Sequence, residues 1–252
     1  YLRAYDHKSR PLGSHKCEDG KIFIESQAWC SMAQVGKEEG MPLKALDSAW
    51  KYLETPYGFV LLDPPYRKFD PEIGEIGSFL PGYKENGGVF CHNNPWLVCS
   101  EAIARRGDKA FEIYKKTAPA YIEDISEIHR LEPYVYAQMV AGKPEYAKKP
   151  GEAKNSFLTG TAAWNFVAVS QFILGIRPDY DGLIIDPCCN HNMEFTVTRK
   201  FRGNTFIINV KNPNNVCCAV SKMTVDGKMV SGNLLKPTVA GDTHIVDVVL
   251  GE

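Results

Sequence analysis

The stretch "FLPGYKENGGVFCHNNPWLVC", Phe79 to Cys99, gathers Lys84, Glu85, Asn86, His92, Asn93 and Asn94 within a few turns of chain. A cation and a carboxylate side by side, Lys84 and Glu85, supply the donors and acceptors that a polyhydroxylated ligand takes. Gly87-Gly88 allow backbone to come close, and His92 can donate to an anion without a permanent charge. A solvated loop with a structural histidine is the plainer reading of each residue alone. The density of the group beside apolar "VFC" favours a ligand.

A second stretch, "KNSFLTGTAAW", sets Thr159-Gly160-Thr161 before the most apolar helical pattern in the chain. Glycine at a helix start lets an anion reach free N–H groups, and the threonines add hydroxyl donors. A plain threonine cap is the competing explanation, and the pattern GxxxxGK[ST] of a nucleotide-binding loop is absent. In "EPYVYAQMVAG", Tyr134, Tyr136 and Gln138 alternate, so one side can offer rings for a sugar's C–H face and an amide for its hydroxyls. In "DGKIFIESQAW", Glu25 and Gln27 precede a helical run as a capping arrangement, with a substrate contact by Gln27 as the alternative.

Two grammars position these residues. Up to about residue 175 the chain reads helical with long polar loops. "GMPLKALDSAWKYLET" puts Leu43, Leu46, Ala49, Trp50 and Leu53 at helical spacing. "PWLVCSEAIARRG" predicts a helix closed by Gly107, with Asp108 capping the next one. "TAAWNFVAVSQFILG" predicts a helix buried nearly all round. From about Tyr180, β-branched runs such as "MEFTVTRK", "NTFIINVK" and "THIVDVVL" alternate with turn residues, and Asp226-Gly227 predicts a hairpin. Helices followed by strands imply segregated layers, with a boundary between 1–178 and 179–252.

A chain of 252 residues buries roughly three quarters of its unfolded surface and needs no staple. A net charge of −1 argues against nucleic acid as a partner, and no apolar run approaches the ~18 residues of a membrane span. The eight cysteines form no CxxC pair. "CCNH", Cys188 to His191, lacks a second ligand pair at zinc spacing, so no metal is expected; buried thiols in a reducing cytoplasm are. The chain opens on Tyr1 without a signal peptide or initiator Met, as the interior of a longer polypeptide would.

Taken in order, "PGYKENGGVFCHNNPW", "EIHRLEPYVYAQMVAGKPEY", "KNSFLTGTAAW" and "LGIRPDYDGLIIDPC" resemble the C-terminal half of the inverting glycoside phosphorylases of the cellobiose phosphorylase family. The likeness covers essentially the whole chain. It implies the C-terminal part of an (α/α)6 barrel followed by a small antiparallel jelly-roll or β-sandwich domain. It also implies phosphorolysis of cellobiose, or of a longer cellodextrin, to α-glucose 1-phosphate. Inorganic phosphate would be cosubstrate, with no organic cofactor, in a cytoplasmic homodimer. By the resemblance His92, Thr159 and Gly160 contact phosphate, Lys84 and Glu85 hold the acceptor glucose, and Gln138 lies near both. The family's general acid, an aspartate in a Gly-Asp-Trp-Asn-Asp-like stretch, has no counterpart here and is expected upstream of Tyr1. The rival from another class is a sugar-binding module without catalysis, stacking on Tyr134, Tyr136 and Trp96.

Overall fold

The computed structural model describes residues 1–236 and 240–251. It is a mixed α/β chain of two compact units, residues 1–104 with 112–166, and residues 105–111 with 167–252. In the first unit helices α1 (Ile24–Met32), α2 (Met41–Leu53) and α3 (Asn94–Ile103) form the core. Ile24, Leu46, Leu53 and Leu97 are fully buried. Pro42 occupies the first turn of α2, where its missing N–H costs nothing. Ser100 of α3 donates to the Ala28 carbonyl of α1 at 2.8 Å, and Trp50 of α2 donates to buried Glu101 at 2.7 Å.

The expectation of helices and loops alone to residue 175 is not met. Short antiparallel sheets are threaded through the first unit, and one positions the candidate site. It runs Val89–Phe90, Ala137–Val140, Ala153–Ser156, with Phe90 opposite Met139 and Met139 opposite Lys154. Helix α3 ends before the predicted stop: Arg105, at φ 62°, takes the left-handed position expected of Gly107. Gly107 instead opens α4 (Gly107–Thr117), where the Cys189 carbonyl sits in the space a Cβ would fill. Asp108 is therefore inside the helix and not its cap. It accepts from the backbone N–H of His191 at 3.0 Å.

Burial nearly all round belongs to α3, where only Trp96 and Ile103 are less than buried. After the one-turn α5 (Ser126–His129), the apolar run expected to be buried forms α6 (Thr161–Val167) and continues as a π-helical segment, Ala168–Ile173. Ala162, Ala163 and Phe166 of α6 are exposed, the last at 66%. A count of apolar residues did not distinguish the two helices.

The second unit carries a five-stranded sheet in the order Phe195–Phe201, Asn204–Lys211, Thr243–Leu250, Val220–Val225, Lys228–Met229. Phe206, Ile208 and Val210 alternate into its core with Val246 and Val248, as a half-buried period of two dictates. The expected Asp226-Gly227 hairpin is present, with φ of 49° and 76° and Val225 opposite Lys228. The sheet is not wholly antiparallel as expected: Asn204–Lys211 and Thr243–Leu250 pair in parallel. Alternation fixes which face is buried; it does not fix strand direction.

Candidate functional site

The loop from Lys84 to Asn94 is rigid for a reason visible in its amides. Asn86 is fully buried, accepts from Tyr66 N–H at 2.7 Å and donates to the Tyr66 and Phe79 carbonyls at 2.9 and 2.7 Å. Asn94 clamps Phe59 in the same way, accepting from its N–H at 2.8 Å and donating to its carbonyl at 3.0 Å. Both amides are thus consumed in holding backbone, not in reaching a ligand.

At the far end of that loop His92 is held between two surfaces. Its ring meets Trp96 at 5.3 Å between centroids and an interplanar angle of 62°. On Gly160, a Cβ would lie 2.6 Å from the His92 Cε1 and 3.0 Å from Nδ1. Only glycine admits the ring at that distance, so the loop and the turn before α6 are brought together as a pair. Trp96 is edge-on to Trp164 at 5.9 Å and tilted against Trp29 at 5.3 Å, and its buried Nε1 has no partner. Burial lowers the His92 pKa, which keeps the imidazole neutral near pH 7, one nitrogen a donor and the other an acceptor.

Thr159 lies at the same turn. Its Oγ1 accepts from the N–H of Thr161 at 3.1 Å and is 2.5 Å from the Thr161 hydroxyl. One N–H that the helix start would offer an anion is therefore taken by the threonine itself. Gln138 stands on the middle strand of the three-stranded sheet, its Oε1 accepting from Asn155 Nδ2 at 2.8 Å, while its carbonyl accepts from the Cys91 N–H at 3.0 Å. Backbone pairing thus ties Gln138 to the residue before His92.

The near end of the loop has the opposite chemistry. Glu85 lines a cavity of about 370 Å3 with Arg3, Phe23, Glu25, Glu75 and Phe79. Lys84 is exposed and places its ammonium 4.8 Å from the centroid of the Phe79 ring. Glu25 and Glu85 each bury one carboxylate oxygen, Oε2, without a hydrogen-bond partner. Desolvation raises the Glu25 pKa, outweighing the attraction of Arg3. A buried polar atom left unmatched is costly, so two in one cavity mark a place for hydroxyl or N–H donors. Two larger cavities, of about 870 and 540 Å3, lie elsewhere in the first unit. Some of the polar groups there are paired, as in Arg67–Asp19 at 3.0 Å and the Gln27 contacts below.

The other sequence candidates fall apart. Gln27 spends its amide on the nitrogen and carbonyl of Tyr1, both at 2.9 Å, and on Phe23. Tyr134 is 84% exposed and precedes the strand, which begins only at Ala137, so no strand alternation aligns it with Gln138. Tyr136 is half-buried against Tyr114, and burial raises its pKa. His191 of the "CCNH" run is 2.9 Å from Asp108, and among the described residues no group of three or more His, Cys, Asp or Glu converges on a metal position. Sequence reasoning placed no role on Arg3 or Glu75; neither has a local pattern that distinguishes it from a surface charge. No described helix is long and apolar enough to cross a membrane.

Residues 1–175 match the model of the glycosyl hydrolase 94 superfamily catalytic domain, and the chain belongs to that family. It is 35% identical over 98% of its length to a solabiose phosphorylase of Paenibacillus borealis. It is 36% identical over its full length to an N,N'-diacetylchitobiose phosphorylase of Vibrio furnissii. A 3-O-beta-D-glucopyranosyl-beta-D-glucuronide phosphorylase of Paenibacillus borealis is 32% identical over 99% of the chain. The chain spans about a third of the length of these relatives, 32%, 31% and 32% respectively.

Proposed function

We propose that the complete polypeptide is an inverting disaccharide phosphorylase that cleaves cellobiose with inorganic phosphate to α-glucose 1-phosphate and glucose. The observation that carries this reading is the apposition of His92 and Gly160, a glycine-dependent contact beside two threonine hydroxyls. Neutral imidazole, hydroxyls and close backbone make a donor set suited to a phosphate dianion. The carbonyl of Gln138 accepts from the N–H of Cys91, the residue before His92. Phosphate attacks the anomeric carbon on the face opposite the leaving oxygen, taking the place of the base-activated water of an inverting hydrolase. The aspartate that protonates the leaving oxygen lies upstream of Tyr1 in this reading, as do the groups that grip the donor glucose.

Lys84 and Glu85 hold the acceptor, and the cavity's charge narrows what that acceptor is. Three carboxylates, Glu25, Glu75 and Glu85, face one guanidinium, Arg3, inside the cavity, and the Lys84 ammonium stands outside its lining, over the Phe79 ring. Such a wall accepts hydrogen bonds from neutral hydroxyls and repels a carboxylate, which favours glucose over a glucuronide as the released sugar. Residues 1–178 then form part of an (α/α)6 barrel and 179–252 a β domain, in a cytoplasmic homodimer without metal or organic cofactor.

The test is sugar 1-phosphate release by the complete polypeptide from phosphate with, in turn, cellobiose, cellotriose and a glucosyl glucuronide, which give glucose 1-phosphate, and N,N'-diacetylchitobiose, which gives N-acetylglucosamine 1-phosphate. Cellobiose is expected to react fastest, with the α-anomer as first product. Faster reaction of cellotriose or diacetylchitobiose would overturn the choice of substrate. No phosphate-dependent release from any would overturn the reading itself.

A further inference from the structure

Four of the eight cysteines form two adjacent pairs, Cys188-Cys189 and Cys217-Cys218, and the second unit sets the pairs opposite each other. Cys188 and Cys218 are partners in an isolated antiparallel bridge. The N–H of Cys189 donates to the Cys217 carbonyl at 2.9 Å. That bond identifies Cys188/Cys218 as a non-hydrogen-bonded pair, the kind whose Cα atoms approach to about 4.5 Å with side chains close together. A disulfide needs Cα atoms about 4.4–6.8 Å apart and Cβ atoms about 3.5–4.5 Å apart. Cys189 and Cys217 oppose each other across that single backbone hydrogen bond.

Alternation sends the side chains of Cys188 and Cys218 to one face and those of Cys189 and Cys217 to the other. Four thiols arranged so do not surround one tetrahedral metal. The two pairs also differ in their surroundings. Burial raises the Cys217 pKa, and the Asp108 carboxylate, hydrogen-bonded to it and also to His191, adds to that. Cys218 is half-buried, with a long contact, 3.9 Å, to the Arg105 carbonyl. The guanidinium of Arg105 is paired with Asp186 at 2.9 Å.

We propose that Cys188 and Cys218 are a redox-active pair that closes to an intrachain cross-strand disulfide when the protein meets a small disulfide oxidant. The accessible thiolate of Cys218 attacks one sulfur of R–S–S–R. The oxidant's S–S bond breaks, and one R–S⁻ leaves and takes up the proton Cys218 lost. The Cys188 thiolate then attacks the Cys218 sulfur, the bond to R breaks, and the second R–S⁻ leaves with the proton from Cys188. The two cysteines give up two electrons, and the oxidant becomes two thiols. Burial pushes the Cys188 thiol up, so the second step is the slow one and quickens as the pH rises.

The test uses the complete polypeptide, oxidised glutathione at millimolar concentration, and peptide mapping without reduction. In the variant Cys189→Ser/Cys217→Ser a single cross-link joining residues 188 and 218 is expected, reversed by dithiothreitol. Cys188→Ser should instead accumulate glutathione on Cys218, because the resolving thiol is gone. If the double variant does not fold, fragmentation of the parent's cross-linked peptide assigns the sulfurs directly. A parent that links Cys189 to Cys217, links adjacent cysteines, or remains fully reduced overturns the proposal.

Discussion

His92 and Glu85 are seven residues apart on one clamped loop, yet the two ends of that loop are built for opposite charge. At the His92 end stand an imidazole, two threonine hydroxyls and a glycine that lets the ring come close. At the Glu85 end stand three carboxylates against one guanidinium, Arg3, and two of the carboxylates have buried oxygens that lack partners. A rigid frame makes the separation possible: Asn86 and Asn94 saturate their amides on Tyr66 and Phe59, so neither end can drift toward the other. Charge is sorted by position along the loop, and each end can be broken without the other.

The largest effect is expected at the glycine. Gly160→Ala places a methyl 2.6 Å from the His92 ring, so the ring must move. Misplacing a binding group by an ångström can cost about 10²-fold. The phosphate-dependent rate of the complete polypeptide should fall by roughly that factor, with melting temperature and acceptor preference nearly unchanged. Phosphate kinetics equal to the parent's would remove this turn from the site. His92→Ala follows, losing one hydrogen bond to a charged group, about 1.5–3 kcal/mol, or roughly tenfold to more than a hundredfold in rate. Its loss should appear in the KM for phosphate and not in the acceptor series.

How much of this was legible depends on what kind of information each residue carries. Helices α2 and α3, the late strands and the Asp226-Gly227 hairpin follow from periodicity and turn chemistry, which are local. His92, Gly160 and Gln138 were legible as candidates, but their assembly was not. It depends on a short sheet whose strands, Val89–Phe90 and Ala137–Val140, are some fifty residues apart and too brief to show alternation. The role of Asn86 and Asn94 as clamps was illegible for the same reason, since their partners are 20 and 35 residues distant. Arg3 and Glu75 read as surface charges because only the fold supplies the cavity. The parallel pair in the late sheet leaves no mark on either strand's alternation.

The other end of the loop is tested through the acceptor's charge. Glu85→Gln removes one of the three carboxylates while keeping an amide that fills similar space. Like-charge repulsion at about 4 Å amounts to about 1–4 kcal/mol between bulk water and a protein surface. In synthesis from glucose 1-phosphate, the rate with glucuronate relative to glucose should therefore rise roughly tenfold. The KM for phosphate in the cleavage direction should not change. A ratio identical to the parent's would mean that the Glu85 carboxylate does not face the acceptor.

The smallest effect concerns stability and runs in the opposite direction to the others. Glu25 holds a partnerless buried oxygen, and burial raises its pKa above the ordinary carboxylate value of 4.5. The folded chain therefore binds this proton more tightly than the unfolded chain. Its contribution is fully present below pH 4.5 and is lost as the pH rises through the raised folded value. At neutral pH the uncompensated carboxylate is a cost that Glu25→Gln relieves, on the order of 1 kcal/mol, or a few degrees in melting temperature. The gain should be largest well above the raised Glu25 value and shrink as the pH falls toward 4.5, where the native residue takes up its proton. The same variant should weaken the acceptor side, because an amide oxygen accepts less strongly than a carboxylate. A stability gain without loss of acceptor use would mean that the buried charge serves no ligand. A loss of both would mean that Glu25 is held by a partner in the complete polypeptide.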